Sequence, residues 1–144
     1  MRWRLLYRMS KHGSSMITFM KNLDREDITV LMIEDSKGFK FGSFCLETWV
    51  HSKQYYGSPD TFVYSFGTQD DCKIFKSTGS NYMFQYFDRS CLMIGGDTGV
   101  NRAALYLGDD FYRGSSAKSF CFNNEILSSQ TEFLCADLEV WGLY

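Results

Sequence analysis

The stretch CLMIGGDTGVNRAALYL, residues Cys91–Leu107, places a glycine-rich segment between two apolar runs. Cys91–Ile94 is short and wholly apolar, as a centrally buried strand is, and Ala103–Leu107 is apolar again. Between them, Gly95-Gly96-Asp97-Thr98-Gly99 reads either as a strand connection or as a phosphate cradle, and the class of the protein turns on the choice. A phosphate loop needs a Lys-Ser/Thr pair to reach the terminal phosphates and magnesium, and a dinucleotide fold needs GxGxxG; neither is here. Arg102–Leu107 is too short for a helix whose N-terminus would face a phosphate. The glycines are therefore read as scaffold, a tight crossing where Gly95 and Gly96 let two buried strands approach.

Working upstream, Thr61–Phe66 alternates as a strand, with Phe62, Tyr64 and Phe66 on one face. Cys72–Ser77 and Tyr82–Asp88 read as the arms of a hairpin around Thr78-Gly79-Ser80-Asn81. Ile28–Glu34 is a β-branched apolar run. Asp35-Ser36-Lys37-Gly38 then turns it back into Phe39–Leu46, where Gly42 marks a bulge or a close backbone approach. Trp3–Tyr7 is a short strand, broken by Ser10-Lys11-His12-Gly13. Ser14 or Ser15 then caps a helix to Leu23, with Met16, Phe19, Met20 and Leu23 on its core face.

Downstream, Phe111–Arg113 is a short arm and Gly114–Gln130 is loop-like. A last strand runs from Glu132 to about Leu143, with Leu134, Ala136, Leu138 and Val140 facing one way. The connections have hairpin length, and no strand-helix-strand alternation appears. Two packed antiparallel sheets with few helices fit this pattern, a β-sandwich.

The 144 residues make one domain large enough for a real core. Aromatics at 17% favour pleated sheet, where rings pack on half-buried surface. A net charge of -2 argues against a nucleic-acid partner. No apolar run is long enough to span a bilayer as a helix. The five cysteines, Cys45, Cys72, Cys91, Cys121 and Cys135, form no CxxC, so they read as reduced thiols of a cytoplasmic protein rather than as a metal or dithiol motif.

Catalytic chemistry finds little to build on. Only His12 and His51 offer imidazoles, and no GxSxG elbow supplies a nucleophile. Glu132 with Asp137 or Glu139 could pair for acid–base work, but such spacings recur by chance on strands. Asp70-Asp71 and Asp109-Asp110 sit at turns and form no calcium loop. A peroxide-scavenging cysteine needs a lowered pKa, and of Cys91 and Cys121 only the former has a basic neighbour in sequence, Arg89. No catalytic residue, metal site or cofactor is assigned.

Taken together, these segments resemble the TLDc domain of oxidation-resistance proteins. Trp3–Tyr7 with Lys11-His12-Gly13-Ser14-Ser15 is similar to the family's opening, and Val30–Ile33, Asp35–Gly38 and Phe41-Gly42 to its first hairpin. Tyr56-Gly57, Thr61–Phe66 and Phe75–Asn81 follow in order, then Gly95-Gly96 with Ala104–Leu107, and Asp137–Gly142 as the close. The order and spacing over nearly the whole chain carry the resemblance. Two departures stand out: only Met1-Arg2 precede Trp3 where the family has a helical segment, and Asp97 and Thr98 replace glycines.

The resemblance implies a β-sandwich and a role in oxidative-stress resistance without enzymatic activity. It further implies a cytoplasmic interaction domain that regulates assembly of the vacuolar proton-pumping ATPase, peripheral to vacuolar or lysosomal membranes through that partner. A monomer is expected, as a single domain over 1–144 lacking the N-terminal helical segment and leaving some apolar surface uncovered. Gly13, Ser15, Gly42, Gly57, Gly79, Gly95, Gly96, Leu105 and Trp141 are the signature scaffold positions. Arg4, Arg8, Lys11, Glu132, Asp137 and Glu139 are the candidate partner surface, since basic residues crowd the start and acidic ones the end. Two alternatives remain: a cysteine-based scavenger or weak hydrolase-like enzyme, and a sandwich that binds acidic lipid headgroups through the N-terminal arginines.

Overall fold

A computed structural model describes residues 2–97 and 100–144, with the backbone alone for 100–102. The chain is mostly β, and its ten strands pair antiparallel throughout the described residues. One set runs β5 (Lys73–Lys76), β4 (Phe62–Gly67), β3 (Lys40–Cys45), β2 (Thr29–Asp35), β10 (Glu132–Leu143) and β1 (Trp3–Arg8). The other runs β10, β9 (Arg113–Ser115), β8 (Val100–Gly108), β7 (Cys91–Asp97) and β6 (Gln85–Phe87). β10 belongs to both: Glu132–Leu134 pairs β9, and Cys135–Gly142 pairs β2. Inward side chains of the two sets meet in a single core, as where Phe41 of β3 lies edge-on to Phe133 of β10 at 5.0 Å.

The two helices are α1 (Met9–His12) and α2 (Met16–Leu23). Ser15 caps α2, its Oγ accepting from Ile17 N at 3.2 Å and Thr18 N at 3.5 Å, so two orphan amides are satisfied. Phe19 and Leu23 then point into the core, and Phe19 stacks on Phe87 of β6 at 5.5 Å. The helix thus plugs one end of the core with aromatic area.

Four expectations need correction. The Ser10–Gly13 break is instead one helical turn, closed by Gly13 at φ 94. The expected 72–88 hairpin does not form: β5 pairs β4 and β6 pairs β7, so 77–84 carries the chain from one sheet to the other. The short arm lies at 113–115 rather than 111–113, because Phe111 takes a left-handed turn at φ 63 and is buried. The alternation in β10 reverses: Phe133 and Cys135 are buried while Leu134 is 56% exposed, then Leu138 and Val140 are buried. A register shift between Cys135 and Asp137 inserts one residue and turns the strand's other face inward.

Candidate functional site

Gly95 and Gly96 lie inside β7 rather than in a loop. The connection at Thr98-Gly99 falls outside the described residues. What approaches the glycines most closely is a pair of rings. A Cβ at Gly95, whose φ is +75, would stand 2.5 Å from the Phe122 ring and 3.0 Å from Ala104 Cβ. A Cβ at Gly96 would stand 2.6 Å from the Tyr55 ring. Gly96 O accepts from Asn81 Nδ2 and Ser119 Oγ, both at 3.2 Å, and Asp97 accepts from Phe120 N. Side chains of this protein fill the space against the glycines that a phosphate would need.

The other signature positions are dispersed. Gly57 lies against Phe84 and Gln85, Gly79 turns within the 77–84 crossing, and Leu105 is buried in β8. Trp141 stands on the outer face of the β1–β5 sheet, its Nε1 donating to Glu139 Oε2 at 2.9 Å. That face is apolar and open. Trp3, Val30, Phe44, Phe62 and Trp141 help to line a shallow cavity of about 620 Å³, and Trp3 is 58% exposed. Phe62, Tyr64 and Phe66 do share one face, and it is this outer one; Val63 between them faces the core.

The six candidate partner residues do not gather into one free surface. Arg8 donates through Nε at 3.1 Å and Nη2 at 2.6 Å to Glu139 Oε1, tying β1 to β10. Asp137 accepts from Ser10 N at 3.1 Å and Ser10 Oγ at 2.8 Å, tying α1 to the same strand. Arg4 pairs with Glu26 and lies over the Tyr144 ring at 5.2 Å. Lys11 is exposed in the last turn of α1. Glu132, at the far end of β10, lines a cavity of about 570 Å³ with Lys37 and Arg113. Exposed pairs of this kind contribute about 0–1 kcal/mol each, so the seam between β1, α1 and β10 rests on its ladder and core more than on charge.

The imidazoles are likewise engaged. His12 Nδ1 accepts from Arg8 N at 2.9 Å and its ring stacks on Tyr7; His51 lies edge-on to Phe87 at 5.2 Å. Ser15 Oγ is committed to the helix cap. Among the described residues no group of three His, Cys, Asp or Glu side chains could hold a metal ion.

Four thiols are buried: Cys45, Cys91, Cys121 and Cys135. Burial pushes Cys45 up to about 12, against a smaller opposing hydrogen bond with Ser43. Burial, then Asp97, pushes Cys121 up to about 12; burial, then Asp137 and Asp35, does the same for Cys135. Cys91 rises to about 11 through burial and then Asp88. Cys72 is exposed, and partial desolvation moves it upward too. Peroxide reacts with the thiolate, and each of these shifts disfavours that form.

Sequence reading missed Asp35 as more than a turn residue. It is 2% exposed, and its carboxylate accepts from Lys37 N, Phe39 N and Ser129 N. The only local signal is an aspartate at the end of an apolar run; the Ser129 contact is 94 residues away.

The whole of residues 1–144 matches the family model described as the TLDc domain. Human nuclear receptor coactivator 7 is 38% identical over 141 residues, 97% of this chain and 14% of that protein. Human oxidation resistance protein 1 is 37% identical over 141 residues, 97% of this chain and 16% of that protein. The chain therefore spans roughly a seventh of the length of these relatives. With the family model matched end to end and the antiparallel β fold in place, the chain belongs to the TLDc domain family.

Proposed function

We propose that this chain is a non-enzymatic interaction domain that serves oxidative-stress resistance by binding subunits of the vacuolar proton-pumping ATPase and regulating their assembly. One observation carries the reading: four of the five thiols are turned inward while apolar surface is turned outward. Four of the five thiols are buried with raised pKa values, and both imidazoles pack against rings of the fold. Meanwhile Trp3, Phe44, Phe62 and Trp141 stand on an open sheet face, as side chains do on a surface meant for another molecule. The similarity to oxidation resistance protein 1 supports the oxidative-stress part of the reading.

No helix among the described residues is long and apolar enough to cross a membrane. In this reading a partner supplies the attachment to vacuolar or lysosomal membranes, and the domain acts from the cytoplasm as a monomer. Capture of pump subunits from detergent-solubilised membranes by the immobilised chain tests the reading. Recovery of peripheral-stalk or catalytic subunits is expected, and an empty eluate overturns it. A variant with all five cysteines replaced by serine, folded and expressed in peroxide-challenged cells, is expected to protect as well as the parent. Lost protection would return the thiols to the centre.

A further inference from the structure

Two adjoining cavities lie between the start of α2 and the turn that precedes β7. The first, about 620 Å³, is lined by Met16, Ile17, Met20 and Asp109 among others; the second, about 460 Å³, by Lys53 and Asp88 among others. His51 and Arg89 line both, so the two form one continuous surface. The first half is apolar. Ile17 is 82% exposed, the largest exposure among the described large hydrophobic residues, and Met20 lies beside it only partly buried. The second half is net positive, with Lys53 and Arg89 against the single carboxylate of Asp88. Neither Lys53 nor Arg89 is in an ion pair among the described residues. Asp88 cannot serve them freely: Oδ1 accepts from Ser90 N at 2.7 Å and Cys91 N at 3.0 Å, and Oδ2 from Tyr86 Oη at 2.5 Å. His51 is held on the seam by its edge-on contact with Phe87.

Resting on the reading of this chain as an interaction domain, we propose that this surface binds an acidic peptide segment of a partner protein, with an apolar side chain against Ile17 and Met20 and a carboxylate between Lys53 and Arg89. The polarity fixes the order of the two anchors along the surface, because Asp109 lies in the apolar half and repels a carboxylate placed there. Electrostatic complementarity of this kind sets orientation and encounter rate, while the buried apolar contact slows release. The same features decide against a membrane or a nucleic acid. Those present many phosphates at once, and this surface would meet them with two cations and the carboxylates of Asp88 and Asp109.

The test is fluorescence anisotropy with a labelled amphipathic peptide of leucine and glutamate pairs, and with its counterpart bearing lysine for glutamate. The acidic peptide is expected to bind, and the lysine peptide not to. Lys53→Glu with Arg89→Glu is expected to weaken the acidic peptide by about tenfold or more and to admit the lysine peptide. Ile17→Glu is expected to weaken it comparably. All three positions are exposed, and circular dichroism checks that the variants are folded. No binding of the acidic peptide, or equal binding by parent and variants, overturns the proposal. So does binding to phosphatidylcholine–phosphatidylserine vesicles that the same substitutions abolish while the peptide stays unbound. Purified pump subunits form a second arm. If the parent captures them and the variants capture them equally, this surface is overturned and the interaction reading stands. If the parent captures none, the pump reading fails and the peptide result alone decides the surface.

Discussion

The hydroxyl of Tyr64 stands where a side chain at Gly42 would be. Its Oη donates to Leu31 O at 2.7 Å and lies 3.0 Å from the position a Gly42 Cβ would occupy. That Cβ would also stand 1.7 Å from Leu31 O itself, a backbone atom of β2. Three strands are thus locked at one point: β3 comes close to β2 because Gly42 has no side chain, and β4 sends a phenol across the gap. Gly42→Ala forces a backbone shift rather than a rotamer change and is expected to cost about 3 kcal/mol. Tyr64→Phe removes only the hydrogen bond and is expected to cost about 1 kcal/mol. Urea denaturation of the two variants checks the order, and a mild Gly42→Ala would remove this account of β3.

Gly95 and Gly96 are neighbours with different penalties. Gly95 sits at φ +75, in the left-handed region, and its Cβ would meet the Phe122 ring and Ala104 of β8. Gly96 has no such dihedral, and its Cβ would meet the outer end of the Tyr55 ring, which can swing away. Gly95→Ala is expected to cost about 3 kcal/mol, from strain plus crowding. Gly96→Ala is expected to cost about 1 kcal/mol, and less in a Tyr55→Ala background, where the obstructing ring is gone. A double-mutant cycle in urea reads the coupling directly. A folded and fully stable variant that fails to capture the pump would mean instead that the glycines belong to a binding site.

The strands that read clearly are those with a continuous pattern. The apolar run Ile28–Glu34 forms β2, and Ser15 followed by Met16, Phe19 and Leu23 announces its helix. What the pattern hides are features made by distant partners. The phase of β10 flips at a bulge specified by pairing with β2, so Leu134 and Leu138 look alike in sequence and end on opposite faces. Arg8 and Glu139, candidates for a partner surface, are joined to each other across 131 positions of chain. The 77–84 segment carries turn residues that suit a hairpin equally well, and only the pairing of β5 with β4 and of β6 with β7 decides. The Lys53 and Arg89 surface was invisible for the same reason, since its cations come from separate loops.

Asp35 holds the β2–β3 turn and the end of the last connection together. Its Oδ1 accepts from Lys37 N at 2.9 Å and Phe39 N at 3.0 Å, and its Oδ2 from Ser129 N at 2.9 Å. Asp35→Ala leaves these amides without their acceptor and is expected to cost about 3 kcal/mol. Asp35→Asn keeps one oxygen and turns a donor toward the other amide, so it is expected to fall between. Native-state hydrogen exchange should show Lys37, Phe39 and Ser129 losing protection in the alanine variant. Unchanged exchange at Ser129 would mean that the long-range bond contributes nothing.

The buried thiols make a prediction about alkali. Their folded pKa values, about 12 for Cys45, Cys121 and Cys135, lie above the ordinary 9.0. A group raised on folding contributes stability that is complete below its unfolded pKa and is lost as pH climbs toward the folded value. Stability should therefore start to fall near pH 9, where the unfolded chain gives up thiol protons that the folded chain keeps. Tyr7, Tyr55 and Tyr56, raised from 10.0 to about 12, mainly through burial, steepen the fall about one pH unit higher. Replacing Cys45, Cys121 and Cys135 by alanine lowers stability at every pH through lost packing, so the slope, not the midpoint, is the readout. The slope between pH 9 and 10 should flatten in the triple variant, while the tyrosine part above pH 10 persists. In the same range a thiol-reactive disulfide reagent should label Cys72 of the folded parent quickly and the four buried thiols only after unfolding. Rapid labelling of Cys45 or Cys121 in the folded chain would show a thiolate open to solvent and revive a direct reaction with peroxide.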